Sequence, residues 1–258
     1  MSGVEQAEDK RKQQATEVIA AARDGGGGNR MVIAGVAIIV VLAVVIGIAI
    51  FGQHRNKPAD LPKAIPAAAA GPAYPVSLQG DAIVTGNPQA PVTVDIYEDF
   101  LCPHCARLEQ MVHPRLAQAA ADGKIKLVYH PVSILDRKSV PEGYSTMAAG
   151  AAYCAANAGV FPRFHDSLFA AQPAEEAPAY TVAQLQQLGT TLGAGPDFAK
   201  CVQAGAGQRV STATDNADKY ISGLRADHEF GTPSVLLNGA VVLNPFNTQW
   251  LDKALAGV

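Results

Sequence analysis

The spacing of hydrophobic positions changes along this chain, and each change predicts a different kind of element. From Met31 to Phe51 every position is apolar except Gly35 and Gly47. As a helix rising 1.5 Å per residue, that run spans about 31 Å, the thickness of a bilayer's hydrocarbon core. A transmembrane anchor is therefore predicted over residues 31–51. Gln53-His54-Arg55-Asn56-Lys57 follows it, where a cleaved signal peptide would end in small residues, so the anchor is expected to be retained. Residues 1–30 are polar and mixed in charge and end in Gly25-Gly26-Gly27-Gly28, the composition of a disordered tail. Residues 52–76 concentrate alanine and proline (Pro58, Pro62, Pro66, Pro72, Pro75) and predict an extended linker that holds a folded domain away from the membrane.

Beyond the linker the spacing becomes that of strands. Ala82-Ile83-Val84 predicts a short strand, and Val92, Val94 and Ile96 alternate with polar neighbours in a second one ending at Tyr97. A helix-forming run follows from Cys102 to about Ala121, with a kink expected at His113-Pro114. Ile125, Leu127 and Tyr129 then mark another strand. Between Ser139 and Leu224 alternation disappears, and helices are predicted at Tyr144–Ala158, Arg163–Ala171, Thr181–Leu188, Asp197–Ala204 and Arg209–Leu224. The last of these sets Val210, Ala213, Ala217, Ile221 and Leu224 on one face. Strand spacing returns at Pro233–Leu237 and Ala240–Leu243, joined by the hairpin dipeptide Asn238-Gly239, and Thr248 is placed to cap a final helix that carries Trp250.

Composition narrows the function. A hydrophobic content of 48% supplies one good core, and a net charge of −3 leaves no electrostatic footprint for nucleic acid. Lys10, Arg11, Lys12, Arg23 and Arg30 precede the apolar run, against Arg55, Lys57 and Lys63 after it, which favours a cytoplasmic N-terminus and an extracytoplasmic domain. Four cysteines, an even number, suit an oxidising compartment.

Two of those cysteines form Cys102-Pro103-His104-Cys105 where the predicted strand hands over to the helix. Free N–H groups and the positive end of the helix dipole stabilise a thiolate at Cys102, while Cys105, one turn further in, is more buried and less acidic. His104, between the sulfurs, can add positive charge or a hydrogen bond. Ala106 stands where haem attachment needs histidine, and no second close pair of Cys or His completes a structural zinc site, so neither a metal nor a cofactor is expected.

With Tyr129-His130-Pro131-Val132 and Gly231-Thr232-Pro233-Ser234, this motif makes the chain resemble the membrane-anchored DsbA-type thiol-disulfide oxidoreductases of the thioredoxin-like superfamily, from about Leu78 to Val258. The resemblance implies an α/β thioredoxin fold in two parts, residues 77–138 and 225–258, around a helical insertion at 139–224. It also implies a cis bond at Thr232-Pro233, where the Thr232 backbone can pair with an extended substrate. The activity implied is oxidation of dithiols in reduced exported polypeptides by a monomeric domain, recycled by a quinone-linked membrane protein of the DsbB or VKOR kind. A reductase or isomerase using the same two sulfurs is the alternative. Another is a membrane-anchored metal- or haem-delivery chaperone using Cys102, Cys105 and His104 as a soft-metal site.

Relatives often carry a buried acid six residues before the first cysteine, a position held here by Ile96, while Asp95 points to the other face of the strand. Glu98 and Asp99 are expected to be solvated loop charges, as are Glu175 and Glu176. His54, His113, His130, His165 and His228 show no mutual ligand spacing and are expected to be structural or exposed. Cys154 and Cys201 fall on separate predicted helices, and a disulfide between them would stabilise the insertion by about 4 kcal/mol on the chain-entropy account.

Overall fold

The structure, a computed structural model, describes residues 63–256. The expected tail and the membrane span at Met31 to Phe51 lie outside the described residues. Among the described residues no helix is long and apolar enough to cross a membrane.

Six strands make one mixed sheet in the order β1-β2-β4-β3-β5-β6. They are β1 (Val76–Gln79), β2 (Ala82–Gly86), β3 (Val92–Glu98), β4 (Ile125–Pro131), β5 (Ser234–Leu237) and β6 (Ala240–Val241). The central pair β3 and β4 runs parallel, with Ile96 opposite Tyr129, and every other pairing is antiparallel. Helix α1 (Pro103–Ala121) makes the crossover between β3 and β4 and continues through Pro114. Val92, Val94 and Ile96 join the core shared with Leu108, Val112 and Leu116 of α1. Tyr97 and Leu236 belong to a separate cluster with Ala217 and Ile221, so a second helix, α6 (Gly207–Leu224), covers the opposite face.

The insertion forms as five helices: α2 (Tyr144–Asn157), α3 (Phe161–Ala170), α4 (Val182–Thr191), α5 (Pro196–Ala204) and α6. Thr181 and Gln184 close a capping box on α4. Gly189 lets α4 and α5 approach closely, because a Cβ there would stand 2.0 Å from the Phe198 ring. Val210, Ala213, Ala217 and Ile221 of α6 are buried as their spacing implies, whereas Leu224 at its end is exposed. Asn238 and Gly239, both at positive φ, turn the final hairpin, and α7 (Gln249–Ala256) buries Trp250.

Two expectations change here. The Pro/Ala segment is not a free stalk along its described part, because Ile65 is buried in the core and the Ala68 amide donates to Ser167 Oγ at 2.8 Å. The Arg163 guanidinium holds the Ala68 carbonyl at 3.0 and 3.1 Å. The segment's end is also strand, since Val76–Gln79 pairs with β2 as β1. Proline-rich chain has little order of its own, and here side chains of α3 supply it.

Candidate functional site

Cys102 occupies the N-cap of α1, with Pro103 in the first turn, where the missing proline N–H costs nothing. Cys102 and Cys105 are both free thiols. Cys102 is 5% exposed and Cys105 1%, so the outer sulfur is less open than its position at a helix start suggests. Its acidity is nevertheless raised. A hydrogen bond from the Cys105 side chain, helped by Thr232 and by the Cys105 and His104 amides, outweighs burial and lowers the Cys102 pKa to about 6. Burial and the neighbouring sulfur push Cys105 well above the ordinary thiol range. The pair is therefore polarised into one ready leaving group and one thiol that keeps its proton.

Thr232-Pro233 is cis and faces this sulfur. The Cys102 thiol donates to the Thr232 carbonyl at 3.3 Å. The Thr232 hydroxyl is buried without a hydrogen-bond partner, and the Thr232 side chain favours the Cys102 thiolate. His104 acts through its main chain. Its ring is exposed, makes no hydrogen bond to either sulfur, and lies edge-on to Phe246 with centroids 6.1 Å apart. Gln172, just beyond α3, donates from Nε2 to the Phe100 and Cys102 carbonyls at 3.0 Å each and clamps the turn that presents the motif. Away from this turn, Cys154 of α2 and Cys201 of α5 form a disulfide with Cα atoms 5.9 Å apart.

Glu98 and Asp99 are not solvated, and both are fully buried. Asp99 accepts from the Leu101, Ile134 and Leu135 amides and from Ser145 Oγ at 2.6 to 3.0 Å. Burial outweighs those bonds and raises its pKa to about 6. Glu98 accepts from His165 Nε2 at 2.9 Å in the core. From there a chain of charges runs through Asp166 to His113, whose Nε2 lies 2.9 Å from Asp166. Burial opposes charge on His113, but Asp166 and Glu109 carry its pKa up to about 9. His165 is also held above the usual histidine range, against burial, by Glu98 and Asp166. Of the other acids, Glu176 pairs at the surface with Lys138 at 3.0 Å.

A family model described as Thioredoxin matches residues 78–256. Over 182 residues the chain is 32% identical to the serine/threonine-protein kinase PknE of Mycobacterium tuberculosis, covering 68% of this chain and 31% of the kinase. Over 172 residues it is 32% identical to the Na(+)/H(+) antiporter NhaA 3 of Salinispora tropica, covering 67% and 24%. The chain thus spans less than a third of the length of either relative. Among solved structures, reduced DsbA of M. tuberculosis aligns with a TM-score of 0.54 at 28% identity, over 69% of this chain and 99% of that one. Reduced DsbG of the same organism aligns at 0.52 and 29%, over 66% and 88%. The MdbA thiol-disulfide oxidoreductase of Corynebacterium matruchotii shares the fold at 0.62 and 23%, over 71% and 92%.

Proposed function

The chain belongs to the thioredoxin family, and from that premise we propose that it is a protein disulfide oxidoreductase that works as a dithiol oxidase on exported polypeptides. The observation that carries thiol-disulfide exchange is the opposed acidity of the two thiols, Cys102 lowered to about 6 and Cys105 raised, and the likeness to DsbA of M. tuberculosis supports the oxidase direction. A substrate thiolate attacks Cys102 Sγ of the disulfide form, and the Cys102–Cys105 bond breaks. Cys105 leaves and takes up a proton, which its environment favours. A second substrate thiolate then attacks the substrate sulfur of the mixed disulfide and expels the Cys102 thiolate. The substrate loses two electrons and the enzyme gains them. A stable Cys102 thiolate speeds this release and stabilises the reduced enzyme, which makes the oxidised enzyme a stronger oxidant.

The Thr232 backbone, beside the sulfur, is the docking edge for an extended substrate. The apolar run at Met31 to Phe51 and the charge bias around it support a single-pass anchor with the domain outside the cytoplasm. A quinone-linked membrane protein of the DsbB or VKOR kind would return the pair to the disulfide.

The test is the equilibrium of the Cys102/Cys105 pair against glutathione, with reoxidation of a reduced, unfolded substrate followed in parallel. A potential more oxidising than about −200 mV and stoichiometric substrate oxidation are expected. A potential near the roughly −270 mV of thioredoxin would replace oxidase with reductase.

A further inference from the structure

We propose that Glu109, His113 and His165 form a binding site for one divalent transition metal of the zinc class. The site is separate from the thiols and is reached through the cavity beside Asp166. One donor atom from each of these three residues lies within 4.8 Å of the others. Glu109 and His113 are one turn apart on α1, and His165 comes from α3, so a bound ion would cross-link the active-site helix to the insertion.

Glu109 is the strongest pointer. It is 6% exposed, and of its two buried carboxylate oxygens Oε1 has no partner while Oε2 meets His113 Nδ1 at 3.1 Å. A carboxylate with vacant acceptors in a core is costly, and a cation offsets that cost. The two imidazoles are already held as metal-ligating histidines are. His113 Nε2 is fixed by Asp166 and His165 Nε2 by Glu98, each at 2.9 Å, and outer carboxylates of this kind orient ligand imidazoles. The Nδ1 atoms are therefore the ligands, and a bound ion displaces the contacts they now make, His113 Nδ1 with Glu109 and the Tyr129 hydroxyl and His165 Nδ1 with Asp166 at 3.4 Å. The charge balances as well. The carboxylates of Glu98, Glu109 and Asp166 call for positive charge, and one divalent ion supplies as much as two imidazolium protons.

Two nitrogens and a carboxylate favour zinc, cobalt or nickel over calcium or magnesium, which take oxygen ligands. Zinc bonds of about 2.0 to 2.1 Å require the donors to draw closer than 4.8 Å, a movement within reach of side-chain rotation. Entry is provided by a cavity of about 540 Å³ lined by His113, Asp166, Tyr74 and Arg163.

The experiment uses the full chain with Cys102 and Cys105 locked as a disulfide, so that neither thiolate can bind metal. Titration with Co²⁺ is expected to saturate at one equivalent, giving visible bands of nitrogen- and oxygen-ligated cobalt without a sulfur charge-transfer band, and Zn²⁺ should displace it. Affinity should fall at least tenfold in Glu109→Gln and in His165→Asn. It should hold in His130→Asn, whose ring pairs with Asp95 on the other face of the sheet. Absence of stoichiometric binding by the wild-type chain, or undiminished binding by both variants, would overturn the proposal. His113→Asn gives the same reading should either variant fail to fold.

Discussion

Thr232 serves Cys102 in both protonation states. Its carbonyl accepts from the thiol at 3.3 Å, and its buried hydroxyl, which has no partner, is free to donate once the thiolate forms. A hydrogen bond to a charged group is worth about 1.5 to 3 kcal/mol, so Thr232→Val should move the midpoint of Cys102 alkylation upward by about one to two pH units. His104→Ala should move it much less, because the His104 main-chain amide reaches the sulfur and its ring does not. Rates of iodoacetamide labelling across pH 4 to 9 decide this, and a larger shift in His104→Ala than in Thr232→Val would reverse the assignment. Cys102 and Cys105 were legible from spacing, and Pro233 from the family resemblance carried by Gly231-Thr232-Pro233-Ser234. The Thr232 hydroxyl was not, since what distinguishes it is a missing partner. Glu98 was legible in principle. Val94, Ile96 and Glu98 share one parity, and carrying the alternation one residue past Tyr97 would have put Glu98 inside with His165.

At the scale of elements, the entry to α1 is held from outside the helix. Gln172 donates to the Phe100 and Cys102 carbonyls, so Gln172→Ala leaves both without that donor and should cost about 1 to 2 kcal/mol in denaturant unfolding. Unchanged stability would show that the clamp is replaced by water at no cost. Asp99 ties the same turn to the residues after β4 and to α2. Burial raises its folded pKa to about 6, above the roughly 3.9 of an unfolded aspartate, so the folded state binds the proton more tightly. Its contribution is complete below about pH 4 and is lost as pH rises through about 6, a change of about 3 kcal/mol. Asp99→Asn cannot titrate and places an amide among N–H donors. It should be less stable at every pH but should lack that segment of the wild-type slope, as thermal unfolding between pH 4 and 7 would show. The helices of the insertion were legible within a few residues because helix-forming runs and their end signals, such as Thr181 before α4 and Pro196 opening α5, are local. The strand β1 was not, because Val76–Gln79 is four residues long, half-exposed on one face, and defined by its pairing with β2.

Across the whole molecule, the insertion is part of the core and not an appendage to it. Ala148, Ala149, Ala152 and Phe164 lie in the same apolar cluster as Ile96 and Leu108. The three alanines permit close helix packing but bury little area each, so this layer depends on more than apolar contact. The Cys154–Cys201 bond closes a loop with a sequence separation of 47 between α2 and α5. On the chain-entropy account a loop of that length is worth about 4 kcal/mol, realised by restricting the unfolded chain. The double variant Cys154→Ala, Cys201→Ala should therefore unfold at lower denaturant by up to that amount. Its Cys102/Cys105 potential should stay unchanged, because neither α2 nor α5 supplies a hydrogen bond to the active-site sulfurs. Denaturant titration and glutathione equilibration of one preparation separate the two effects. Equal stability with a shifted potential would mean that the bond acts on the active site and not on the unfolded state.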